Sequence, residues 1–279
     1  MTIHLKQAKS TMKTKPFTIT IEVVPPAGPD ADPLLSSLRK TAELPIDGFS
    51  VATNPVAKPR MNAMALCALI QQTTGQPAIL HCTIRDQNRL SLQAMLWGAK
   101  ALGIETVLVA SGDFVALGDK QTTSDVRDVD VFSLIAMARE AGLRTGVVLD
   151  TRPESNGLKR EIDRLKRKRD SGAQFVVTQP IYDEAGANDI ITATRDIKIP
   201  VIMGILPLRT SRHAEFLHHK VAGIAVPESV RNRMHEAEDA VAEGVANARE
   251  MLTLARERFA GACVMPPFDH YEVLADVLI

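Results

Sequence analysis

Ala78-Ile79-Leu80-His81-Cys82-Thr83, a helical stretch from Asn88 to Leu102, and then Thr106-Val107-Leu108-Val109-Ala110 form the succession that decides the fold. The two flanking runs are short, apolar and β-branched, as buried strands are, whereas the segment between them is longer and of helical period. A strand that returns to its sheet through a helix lies parallel to its predecessor. Outward from this unit the alternation continues in both directions. Phe17–Val23, Phe49–Ala52, Thr145–Leu149, Phe175–Thr178, Val201–Gly204 and Val221–Val226 read as further strands. Helical candidates lie around Pro33–Glu43, Arg60–Thr73, Val131–Ala141, Gly157–Ser171, Ala185–Arg195 and Ser211–His218, with a long terminal helix from Glu228 to Phe259. Eight strand–helix units predict an α/β fold, a single (β/α)8 barrel over residues 17–279.

The length of 279 residues suits one barrel, for which about 250 is common. With 45% hydrophobic and 24% charged residues the chain has the balance of a globular protein, which excludes disordered and fibrous classes. Thirty-three basic residues offset thirty-three acidic ones, so the chain has no electrostatic bias toward nucleic acid or anionic membrane, and a small-molecule partner is expected. Cys67, Cys82 and Cys263 are widely spaced and build neither a disulfide framework nor a zinc site. Residues 1–16 carry Lys6, Lys9, Lys13 and Lys15 without an apolar core, which predicts a flexible basic tail rather than a secretory signal. The expected location is cytoplasmic, with no resident metal.

The competing fold, an open doubly wound sheet, would carry G-x-G-x-x-G after an early strand, and that fingerprint is missing. A phosphate-binding G-x-x-x-x-G-K-[ST] loop is missing too, and His235-Glu236 lacks the second histidine of a zinc-protease helix.

In a barrel, chemistry sits where strands end. Here they end in Glu22, Thr53 and Asn54, His81 and Thr83, Ser111-Gly112-Asp113, Asp150, Gln179 and Pro207. Glu22 stands inside Thr20-Ile21-Glu22-Val23-Val24-Pro25-Pro26, where apolar neighbours would keep a carboxyl protonated near neutrality. Local sequence leaves two roles open for it, general acid or salt-bridged glutamate. Asp113 could accept ring N–H groups beside a glycine that admits a flat ligand, or serve as a turn residue. His81 by itself reads as a packed histidine. Gln179 offers both a donor and an acceptor to an amide-like heterocycle, or caps a loop. The basic run Arg164 to Arg169 alternates with acids and reads as a solvated helix face, any cation of which could meet phosphate near the mouth.

These stretches resemble the methylenetetrahydrofolate reductase family, closest to the reductase half of bacterial homocysteine methyltransferase–reductase fusions. Carrying the resemblance are Ile21-Glu22-Val23-Val24-Pro25-Pro26, Ile79–Thr83, Ala101–Ile104 with Ser111-Gly112-Asp113, Leu165–Lys168, Val177–Pro180, Gly204–Leu208 and Met265-Pro266-Pro267-Phe268. It implies a TIM barrel holding a flavin, FAD above FMN, with NAD(P)H as hydride donor and 5,10-methylenetetrahydrofolate as acceptor in one-carbon metabolism. It further implies Glu22 as general acid, and Asp113, Gln179 and Leu217 at the substrate. Thr53, His81, Ala110, Ser111, Gly112, Asp113, Arg152, Glu161 and Lys168 fall on cofactor-lining positions. Four positions depart from the family pattern: Ser111 replaces an arginine, Glu161 an aspartate, Arg152 a histidine and Leu217 an aromatic. Ser111 keeps open direct hydride transfer without flavin. A folate-binding barrel serving a methyltransferase partner is the reading from another class, and a homo-oligomer is compatible with the chain.

Overall fold

The computed structural model describes residues 17–115, 119, 122–149, 157–221 and 223–279. Eight strands close in sequence order into a barrel: β1 (Thr18–Val23), β2 (Gly48–Val51), β3 (Ala78–Thr83), β4 (Thr106–Ala110), β5 (Arg144–Leu149), β6 (Phe175–Pro180), β7 (Val201–Ile205) and β8 (Gly261–Val264). The helices are α1 (Asp32–Thr41), α2 (Ala63–Thr74), α3 (Arg89–Ala101), α4 (Val131–Glu140), α5 (Leu158–Asp170), α6 (Glu184–Thr194), α7 (Ser211–Lys220), α8 (Glu228–Glu236), α9 (Ala240–Arg258) and α10 (Val273–Leu278). Many start at a polar cap that satisfies an otherwise unpaired N–H. Asn62 accepts from Ala65, Asn88 from Ser91, Asp130 from Ser133, Asp183 from Gly186 and Thr210 from His213.

Contacts divide the chain into two compact units. One is Glu22–Gly146; the other joins residues 17–21 to Val147–Ile279. In the first, β2 pairs with β3 and β3 with β4 in parallel register, His81 opposite Leu108 and Thr83 opposite Ala110. In the second, β8 pairs on one side with β7, Ile202 to Gly261 through Ile205 to Val264, and on the other with Thr18–Ile21 of β1. Gly261 lies so close to its neighbour that a Cβ would stand 2.4 Å from the Thr18 carbonyl oxygen. Only glycine admits that approach.

Two sequence expectations are corrected here. Val221–Val226 is not the eighth strand: its described residues form turn and coil, Gly223 adopts φ 86°, and Ile224 and Val226 pack with Tyr182, Leu208, Ala214, Leu217, Val230 and Met234. Its apolar side chains cover helices instead of joining the sheet. The expected long terminal helix is two helices, interrupted at Ala237, where ψ turns to 130°, and restarted by Asp239, whose carboxylate caps Val241 and Ala242 at 3.0 Å. The break lets α9 lie against the loop after β7, with Gly244 where a Cβ would collide with the Leu208 carbonyl at 1.8 Å. Residues 1–16, which were expected to form a tail, and Asp150 and Arg152 lie outside the described residues. Among the described residues no helix is long and apolar enough to cross a membrane.

Candidate active site

In the first unit, Glu22 sits one residue before Val23, whose carbonyl accepts the Ala52 N–H at 2.9 Å. Its side chain is half-buried and has no hydrogen-bond or ion-pair partner among the described residues, so the salt-bridged alternative left open by the sequence is not what the structure holds. Burial pushes its carboxyl up to about 7 from an ordinary 4.5, because no nearby cation compensates the desolvated charge. A carboxyl in that range gives and takes protons near neutrality.

Successive residues of a strand face opposite ways. Cys82 is close enough to Cys67 of α2 to raise that thiol further, so Cys82 faces the helix layer and His81 the barrel interior. There the Ser50 hydroxyl and His81 Nε2 are 2.8 Å apart, and burial lowers the imidazole to about 4, leaving a neutral ring. Thr53 donates its hydroxyl to the His81 carbonyl, so it braces the β2–β3 junction.

Ala110, Ser111 and Gly112 present half-exposed backbone with small side chains at the end of β4, a surface on which a flat ring can lie. Gly112 has φ 76°, and a Cβ there would meet Thr83 and Arg85 side-chain carbons at 3.1 Å. The glycine is therefore required by protein packing, whatever approaches from outside. Asp113 is exposed, and its Oδ2 accepts the Val56 N–H at 2.6 Å. That bond holds a turn in which Asn54, Val56 and Ala57 all have positive φ, 41°, 50° and 55°. For a β-branched valine this is a strained conformation.

The residue that sequence reasoning missed is Arg85. It is 1% exposed, hydrogen-bonds both oxygens of Asp86, and donates to the carbonyls of Asn54 and Asp113. Burial, the largest single influence, would raise Asp86, but the hydrogen bonds from Arg85, Asn54 and Thr83 together with the Arg85 charge outweigh it and hold the carboxyl below its usual range. A second guanidinium, that of Arg127, bonds the Ser111 and Gly112 carbonyls at 3.4 and 3.3 Å and lies 4.7 Å from the Phe114 ring centre. Positive charge thus reaches the Ser111 segment from another loop. The charged pair directly after β3 was the available signal for Arg85; nothing local marked Arg127.

In the second unit, Gln179 sits on a β-bulge. Register with β7 shifts between Val177 and Pro180, and Thr178 stabilises the irregularity by donating to the Gln179 carbonyl at 2.8 Å and accepting the Gly204 N–H at 2.9 Å. Bulges re-aim side chains at strand ends, and Gln179 is half-exposed there. Leu217 is 6% exposed within the apolar cluster around Tyr182 and Leu208. The exposed aromatics among the described residues of this unit are Phe216 and Phe268, the latter at φ 52° with its ring centre 4.8 Å from that of His213 and tilted by 50°. Lys168 is buried and donates to the Val148 carbonyl at 2.7 Å, and Glu161 is buried in the first turn of α5. Of the residues expected to line a cofactor, Thr53, His81, Ala110–Gly112 and Asp113 thus lie in the first unit and Glu161 and Lys168 in the second, Thr53 and Lys168 each bonded to a main-chain carbonyl.

A family profile described as methylenetetrahydrofolate reductase matches residues 7–264. The 5,10-methylenetetrahydrofolate reductase of Pectobacterium carotovorum is 25% identical over 196 residues, 69% of this chain and 64% of that protein. A probable methylenetetrahydrofolate reductase (NADPH) of Caenorhabditis elegans is 27% identical over 159 residues, 53% of this chain and 23% of that protein. The chain therefore spans less than two thirds of either relative. Among solved structures, a tryptophan synthase α-subunit of Pyrococcus furiosus superposes with TM-score 0.54 at 14% identity, over 94% of this chain and 97% of that one. A 2,3-dimethylmalate lyase superposes with TM-score 0.52 at 12% identity, over 94% and 80%. At such identities the likeness is one of fold.

Proposed function

The chain belongs to the methylenetetrahydrofolate reductase family, and from that membership we propose that it reduces 5,10-methylenetetrahydrofolate to 5-methyltetrahydrofolate with hydride drawn from NAD(P)H, Glu22 acting as general acid. The observation that carries the reading is the unpaired Glu22 carboxyl raised to about 7. The methylene group bridges two nitrogens, and neither C–N bond opens readily without protonation. Glu22 delivers a proton to the departing nitrogen, the bond breaks, and the remaining nitrogen holds the carbon as an iminium. Hydride then reduces that carbon to methyl, so one hydride and one proton are consumed per turnover.

Asp113 accepts N–H groups of the pterin, and Gln179 pairs with the polar edge of the folate. Leu217, which the resemblance puts at the substrate, would be held in position by its apolar cluster. A flavin, FAD in the first instance, would supply a two-electron carrier between nicotinamide and folate. His81 and the backbone of Ala110, Ser111 and Gly112 would line it. Glu161 and Lys168, which the resemblance also puts at the cofactor, would contribute to holding it from α5, Lys168 while bonded to the Val148 carbonyl.

A second reading, direct transfer from nicotinamide without flavin, has two observations in its favour: Thr53 and Lys168 both have main-chain partners already, and Ser111 brings no cation of its own. Purified protein supplied with NAD(P)H and methylenetetrahydrofolate is expected to form the 5-methyl product. If that product neither accumulates nor is consumed in reverse, the reading fails. The visible spectrum of the same sample separates the two routes, a flavin absorbance supporting the first and its absence the second.

A further inference from the structure

We propose that Arg85 is the positioning residue of the site, holding the carboxylate of Asp113 in place through the main chain of two loops. It rests on the reading above only in that Asp113 is taken to meet the pterin.

Arg85 closes a ring of hydrogen bonds. Its Nη1 donates to the Asp113 carbonyl at 3.1 Å and its Nη2 to the Asn54 carbonyl at 3.0 Å. From Asn54 the chain runs through the left-handed turn to Val56, whose N–H returns to Asp113 Oδ2. Both the backbone and the carboxylate of Asp113 are therefore tied, by different routes, to one guanidinium. The guanidinium is itself oriented by Asp86, through Nε at 2.5 Å and Nη2 at 2.8 Å. Asp86 also accepts from Asn54 Nδ2 at 3.1 Å, and Asn54 Oδ1 takes the Arg60 N–H at 2.9 Å. The Arg85 carbonyl receives Val126 N–H at 2.9 Å, and Gly112 lies against its Cβ.

A planar fork of donors is what lets one side chain grip a carboxylate and two carbonyls together; a lysine ammonium is a point charge with no such fork. Strain such as that at Val56 persists only where its surroundings over-determine it, and these bonds do so. Removing the fork should free the turn and let the Asp113 carboxylate wander, while the barrel's apolar core is untouched.

The test compares Arg85→Lys with wild type by three readouts. Arg60 follows the turn and offers trypsin a bond to Met61, whereas the preceding Lys58 is followed by Pro59, which trypsin cuts poorly. Cleavage after Arg60 tracks local opening and should accelerate about tenfold or more with little change in melting temperature, in keeping with the loss of charge-assisted bonds. The ratio of folate turnover to nicotinamide oxidation with a quinone acceptor should fall as it does in Asp113→Asn. The double variant should add little to the fall in either single one, because both act on one carboxylate. Should Arg85→Lys fail to fold, Asp86→Asn keeps the guanidinium but loosens it, and should give a smaller acceleration of the same cleavage. Unchanged cleavage in the folded variant, or equal loss of both half-reactions, overturns the positioning role. Wild-type protein that turns over no folate defeats the proposed function instead, and the cleavage result then still decides the role of Arg85.

Discussion

Replacing Glu22 by glutamine tests the proposed acid through stability as well as rate. A carboxyl moved from 4.5 to about 7 prefers its neutral form by about 3 kcal/mol, at about 1.4 kcal/mol per pH unit, and solvent reaching the half-buried side chain makes that figure a ceiling. The sign follows from proton counting. Between pH 4.5 and about 7 the folded protein holds a proton that the unfolded chain has released, so stability falls as pH rises through this window and the full penalty remains above it. Glutamine has no proton to lose. Glu22→Gln should therefore match wild type near pH 4.5 and exceed its stability at pH 8 by up to about 3 kcal/mol, while folate reduction drops by about 10²–10⁴-fold. Urea unfolding at several pH values, followed by the fluorescence of the single tryptophan, Trp97, gives the difference directly, since other titrating groups cancel. Wild-type folate turnover should also decline above about pH 7, and the variant's residual rate should lack that limb. If the two proteins keep a constant stability difference from pH 5 to 8, Glu22 is ionised at neutrality and is not the acid.

Other variants separate the remaining roles. Asp113→Asn should lower folate turnover more than nicotinamide oxidation with a quinone acceptor; equal loss in both would make Asp113 a folding residue. Gln179→Leu keeps the volume but leaves the ligand's polar edge unpaired, weakening folate binding by about 1–3 kcal/mol in a titration, and an unchanged affinity removes Gln179 from the site. Lys168→Met strips the Val148 carbonyl of its partner and should lower stability by about 1–3 kcal/mol and loosen any bound cofactor, whereas Arg169→Ala, at a half-buried position of α5, should stay within about 0.5 kcal/mol; matching melting curves and cofactor content would remove Lys168 from the cofactor-holding residues.

The sequence carried the barrel because most strands advertise themselves. Thr106–Ala110 and Ala78–Thr83 are apolar, β-branched and bounded by capped helices, and the structure keeps those limits. Gly261-Ala262-Cys263-Val264 has no such signature. Its glycine is there because the Thr18 backbone comes too close for a Cβ, a property of the assembled sheet invisible in a local window. Glu22 was legible because an acid inside a β-branched run is conspicuous. Arg85 was not, since a charged residue two positions past a strand looks like an ordinary loop residue, and its burial depends on Asn54 and Asp113 arriving from elsewhere in the chain. The left-handed turn at Val56 is equally silent, valine being among the residues least expected there.

The pairing of Thr18–Ile21 with Gly261–Val264 joins segments about 240 residues apart, and residues 17–21 belong by contact to the C-terminal unit. During synthesis the first strand emerges long before its partner exists. Contacts of such long separation form late and slowly. For most of the time the chain spends on the ribosome, one side of β1 therefore remains an open hydrogen-bonding edge, the kind of surface other chains add to. Closure awaits a four-residue strand of small side chains with little apolar area to drive docking. The yield of folded protein should accordingly depend on what shields that edge in the interval, and a substitution at Gly261 would act first on assembly, before any effect on chemistry at the strand ends.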